Sequence, residues 1–179
     1  MSIRTVGSHH YPPGEVLAAE LERLELPFVR SRDVVHPLRL SAEDLIAALA
    51  SSEEARLRLA LIPLFIAYHD YARFVSSVAD RLVGQARVTL VCYYTAATLL
   101  QRKYDEYLGQ LGLDLTELPN IFGDSLGLPW SGDIDTLLVR LAEQQAQMSG
   151  RSLNWYGTYE YAIERFIRRR ELEAKWAKS

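Results

Sequence analysis

The stretch Leu59–Asp70 reads Leu-Ala-Leu-Ile-Pro-Leu-Phe-Ile-Ala-Tyr-His-Asp and carries no charge until its last two positions. A helix without a polar face must be surrounded by other helices. This run therefore predicts the centre of an all-α fold. Pro63 removes one amide donor and collides with the preceding turn, which predicts a kinked, buried central helix bent near Leu59–Ile62. The run falls well short of the roughly 20 apolar residues a helix needs to cross a bilayer, so no membrane association is expected.

Helix signals recur along the rest of the chain. Pro12-Pro13-Gly14 opens a first helix that Pro27 stops, after a tail over residues 1–12 expected to be flexible. Residues 27–40 lose periodicity, leaving short extended pieces or a loop. Ser41 with Asp44 forms a capping box, and Ser52 with Glu53 and Glu54 suits another start. A helix marked by Tyr71, Phe74, Val75, Val78 and Leu82 is closed by Gly84. A long one is predicted from about Ala86 to Leu111, with Gln101-Arg102-Lys103 as a solvated end. Asp133 and Gly150 bound the next helix, and Asn154–Lys178 is the last. The expected architecture is a single-domain bundle of about seven helices over residues 1–179, interrupted by a long loop at 112–132.

With 179 residues, 49% of them hydrophobic, the chain has enough apolar material for a packed core and too much for intrinsic disorder. A net charge of −3 argues against a protein that coats nucleic acid, although a local basic patch is compatible with it. The amino-terminal residues lack a secretory pattern and Cys92 is the only cysteine, so a cytoplasmic, reducing location is expected. Cys92 has no cationic neighbour in sequence and reads as a buried, inert thiol.

Two short patterns bear on catalysis. His69-Asp70 resembles the paired ligand of the HD-domain metal phosphohydrolases, an all-α family. That likeness implies His36 as a first ligand, His69 and Asp70 as the pair, Asp133 or Asp135 as the last, and a bound divalent ion that makes hydroxide. The pair is followed by Tyr71-Ala72-Arg73, where that family often has glycine and lysine. The alternative is that His69 meets the negative end of one helix and Asp70 caps the next. Arg30 with His36, and Arg4 with His9, resemble the Arg-x4-6-His spacing of HEPN-type ribonucleases, which implies an RNA-associated helical protein such as the partner of a minimal nucleotidyltransferase. Phosphate-cradling, dinucleotide, Cys-x-x-Cys and nucleophile-elbow motifs are absent, and no cofactor is implied.

The carboxy-terminal segment combines Trp155, Tyr156 and Tyr161 with Arg165, Arg168, Arg169 and Arg170. Rings of this kind stack on bases and guanidinium groups pair with phosphates, so these arginines are candidate nucleic-acid contacts. Interleaved Glu160, Glu164, Glu171 and Glu173 favour a solvated face of mixed charge instead. Phe122, Leu126 and Trp130 lie in a loop that would otherwise expose apolar surface. The expected function is that of a non-catalytic accessory or regulatory subunit. Phe122, Leu126, Trp130, Trp155, Tyr156 and Tyr161 would meet a protein partner or a second copy.

Overall fold

A computed structural model describes residues 11–26 and 38–177 and contains helices and no strand among them. In chain order these are α1 (Gly14–Arg23), α2 (Ala42–Ser51), α3 (Ala55–Leu59), α4 (Leu61–Ala67), a 3-10 helix (His69–Phe74), α5 (Val75–Arg81), α6 (Gly84–Lys103), α7 (Asp105–Gln110), α8 (Ile134–Ser149) and α9 (Trp155–Trp176). Several ends form as their side chains dictate. Ser41 Oγ accepts from the Asp44 amide and donates to its carboxylate, Asp133 accepts from the Thr136 amide, and Asn154 accepts from the Gly157 amide. Gly150 ends α8 in the left-handed conformation, at φ 65°.

The core is organised around α6, whose residues Leu90–Gln101 are all buried. Helices α2, α4, α5, α8 and α9 pack on it. Polar side chains survive inside this helix because Thr95 and Thr98 return their hydroxyls to the carbonyls of Val91 and Tyr94 at 2.8 and 2.9 Å. Ala96 and Ala97 are fully buried and let neighbouring helices approach closely. Burial pushes the Cys92 thiol up to about 12, which keeps it protonated and inert.

The apolar run Leu59–Ala67 is buried from Leu61 to Ile66 and packs between α6 and α9. The chain divides at Ala60 into α3 and α4, three residues ahead of Pro63, which has no amide to offer the preceding turn. The expected long helix likewise breaks at Tyr104. Gly84 adopts φ 57° but stands at the start of α6, after α5 has ended at Arg81.

The segment 112–132 folds onto the core. Gln101, expected in solvent, is buried and uses its amide twice: Nε2 donates to the Thr116 carbonyl at 3.0 Å and Oε1 accepts from the Leu118 amide at 2.9 Å. The Tyr94 hydroxyl donates to the Pro119 carbonyl at 2.9 Å, and its ring meets Phe122 edge-on at 6.0 Å. Leu118, Leu126 and Leu128 are buried. Arg102 lies over the Trp130 ring at 5.0 Å and donates to that residue's carbonyl.

Candidate functional site

His69 begins the 3-10 helix, directly after α4 ends at Tyr68. Its Nε2 is 3.4 Å from the Asp70 carboxylate and its Nδ1 3.9 Å from that of Asp114. Both carboxylates are largely exposed. Asp70 caps no helix: the 3-10 helix and α5 both start without a side-chain cap. Asp114 is occupied by the amide and hydroxyl of Thr116, whose hydrogen bonds hold its carboxyl below the usual range. Asp133 is likewise committed to Thr136. No three His, Cys, Asp or Glu side chains converge to hold a metal ion among the described residues. His36 lies outside the described residues, as do Arg4, His9 and Arg30.

The expected partner-binding residues separate into two groups. Leu126 and Trp155 are core residues, at 7% and 9% exposure, and Phe122, Trp130 and Tyr156 are half-buried. The loop and the first turn of α9 therefore cover their apolar side chains with this chain's own α6 and α8. The Trp155 indole donates to the Arg151 carbonyl at 3.1 Å, which fixes the turn between α8 and α9. Tyr161 alone of the six is mainly in solvent, at 52%.

Tyr156 belongs to a polar cluster that sequence reasoning missed. Lys103 Nζ lies 2.7 Å from Asp135 and 2.6 Å from Glu160, joining α6 to both α8 and α9. Tyr104 donates to the second Glu160 oxygen at 2.6 Å, and Tyr156 to Asp135 at 3.2 Å. Both rings stand near the ammonium, 5.4 and 5.8 Å from centroid to Nζ. Burial acts to strip the Lys103 proton, but the hydrogen bonds from Asp135 and Glu160 outweigh it and hold the ammonium above its ordinary range. The Tyr104 hydroxyl is pushed up to about 12 by burial and by Glu160. With one ammonium shared between two carboxylates and both tyrosine hydroxyls donating to them, this cluster is a clasp between helices. No sequence signal marks it, because Gln101-Arg102-Lys103 reads as a solvated helix end.

Helix α9 has two faces. Trp155, Tyr159, Ala162, Ile163, Phe166 and Ile167 form the buried one, as their spacing predicts. The other carries Tyr161, Arg165, Arg168, Leu172 and Lys175 at intervals of three or four residues, with Trp176 four beyond Leu172, and all are exposed. Leu172 and Trp176 keep 42% and 68% of their surface in water. The four candidate arginines divide accordingly. Arg169 and Arg170 both pair with Glu173, at 2.7 and 3.3 Å, whereas Arg165 and Arg168 stand on the outer face, where Arg165 donates to the Tyr161 hydroxyl at 3.3 Å.

No family model, curated protein or solved structure matches the chain. What its surfaces can bind follows from their own side chains. The outer face of α9 presents three large apolar bodies among three cations and one carboxylate, Glu164, a net positive composition suited to an acidic surface with apolar pockets.

Proposed function

We propose that the protein is a non-catalytic helical subunit that recognises an acidic surface on a protein partner through the outer face of α9. The supporting observation is the pairing of Leu172 and Trp176 with Tyr161 on one solvent-facing stripe, on a helix whose opposite stripe is already buried. Large apolar side chains exposed in a row favour an interface, and aromatic residues and arginine are the types that dominate interface energies. Arg165, Arg168 and Lys175 on the same stripe set the charge of the complementary surface.

The test is a native purification of the full chain carrying Leu172→Ala and Trp176→Ala. A partner that co-elutes with the unaltered protein at fixed stoichiometry should be lost, while the thermal midpoint holds within the range of surface substitutions. Retention of the partner by the double variant rejects the α9 face.

A second reading, nucleic-acid binding, draws on the same alternation of Tyr161 and Trp176 with basic side chains. It predicts binding of single-stranded RNA that weakens steeply with salt and is reduced by Arg165→Gln with Arg168→Gln. Anisotropy of a labelled oligonucleotide across a salt series separates the two.

A further inference from the structure

Where the end of α2 and α3 meet α6, α8 and α9, the chain forms a cavity of about 250 Å³ that is open to solvent on one side. Three nearly buried polar side chains line it: Thr89 at 8% exposure and Tyr93 at 4% from α6, and Gln145 at 2% from α8. Gln145 uses its oxygen to accept from the Tyr159 hydroxyl at 2.5 Å, which leaves its amide nitrogen as a donor. Among the described residues, neither that nitrogen nor the hydroxyls of Thr89 and Tyr93 has a hydrogen-bond partner, and none of the three is sealed from the cavity. Each of the three is therefore a donor open to the cavity, with no protein acceptor committed to it.

The charge on the lining points the same way. Arg58 and Arg151 are both present, and neither pairs with a carboxylate among the described residues. Arg58 is held in place through Nη1, which donates to the carbonyls of Ser52 and Glu53 at 2.7 and 2.8 Å. Arg151 and the one acidic lining residue, Glu53, are both exposed at the mouth, whereas Arg58 is partly buried. Trp155 supplies an aromatic wall. Burial pushes the Tyr93 hydroxyl up to about 12, although the Arg58 charge opposes this, so Tyr93 remains a donor at neutral pH.

We propose that this cavity binds the oxyanion group of a small metabolite, a carboxylate or a phosphate. Its oxygens would accept from Tyr93, Thr89 and Gln145, and its charge would be met by Arg58 and Arg151. An oxyanion is the one common group that offers several acceptors and a negative charge together. At about 250 Å³ the space is large enough for an oxyanion group, and its open side lets the remainder of a metabolite extend outward. The site is separate from the outer face of α9 and does not depend on its role.

Calorimetric titration of the full-length protein with inorganic phosphate and with succinate, at matched ionic strength in chloride, tests this. Saturable binding of either, with a Kd of about 1 mM or tighter, is expected. The probe that binds identifies the headgroup, and binding of both supports the shared oxyanion chemistry. Tyr93→Phe, which keeps the ring and removes the hydroxyl, should weaken binding about tenfold, as loss of a hydrogen bond to a charged group does. Arg151→Gln should weaken it comparably, and Arg140→Gln, an exposed arginine that does not line the cavity, should leave it unchanged. These variants spare Arg58, whose carbonyl contacts hold the α2–α3 connection. Failure of both probes to saturate, or equal binding by the unaltered protein and Tyr93→Phe, overturns the proposal.

Discussion

The ammonium of Lys103 and the carboxylate of Glu160 lie 2.6 Å apart across 57 positions of sequence, and Lys103 also reaches Asp135. Glu160 is the more buried of the two, with 14% of its side chain exposed, so removing Lys103 leaves a carboxylate poorly solvated. Lys103→Met should therefore cost about 1–3 kcal/mol, between the values of exposed and fully buried pairs. Urea denaturation gives the number, and a double-mutant cycle with Glu160→Gln should show coupling beyond the additive range.

The alkaline limb of stability should carry the signature of Tyr104. Its hydroxyl is raised from the ordinary 10.0 to about 12 by burial and by Glu160. A folded-state value above the unfolded one means that the stabilisation is fully present below about pH 10 and is lost as pH rises toward 12. Thermal midpoints of the protein and of Tyr104→Phe, recorded from pH 7 to pH 12, should converge across that window. A constant difference between them would show that Tyr104 does not titrate this way.

Trp130 and Tyr161 should behave oppositely when replaced by alanine. Trp130 is half-buried beneath the Arg102 guanidinium and packs on the core, so Trp130→Ala should lose about 1–3 kcal/mol. Tyr161→Ala, on the outer face of α9, should stay within about 0.5 kcal/mol. Equal effects in thermal denaturation would contradict these placements.

Helix α1 ends on a strained residue. Glu25 has φ 54°, while the Leu26 amide closes back onto the Leu21 carbonyl at 2.8 Å, the bond that terminates helices in a left-handed turn. Glycine takes this conformation without the side-chain clash. Glu25→Gly should stabilise the protein by about 0.5–1 kcal/mol, net of the greater freedom glycine has when unfolded. A lower urea midpoint would refute this.

The features legible in sequence were those written in local chemistry. The capping box at Ser41 and Asp44, the left-handed end at Gly150 and the buried stripe of α9 each depend on residues within a few turns of one another. Features made between distant segments were not legible. Gln101 and Lys103 look like a solvated helix end, and only the arrival of residues 116–118 and of Glu160 makes them interior groups. The same reason explains Phe122 and Leu126. Their apolar character was plain, but whether it faced a partner or this chain's own α6 depended on the path of the loop. Of the aromatic and basic residues near the carboxy terminus, helical periodicity divided those facing the core from those facing water, while Glu173 further divided the arginines by charge.

The Gln101 amide meets a carbonyl at Thr116 and an N–H at Leu118, the same alternation that an adjoining β-strand would present. One side chain thus imposes a reading frame on backbone it never touches covalently. Inserting or deleting a single residue between those two positions would leave Gln101 a backbone amide to meet but move the Leu118 side chain out of its buried position, so a change of length in this connection is better accommodated beyond Leu118 or before Thr116.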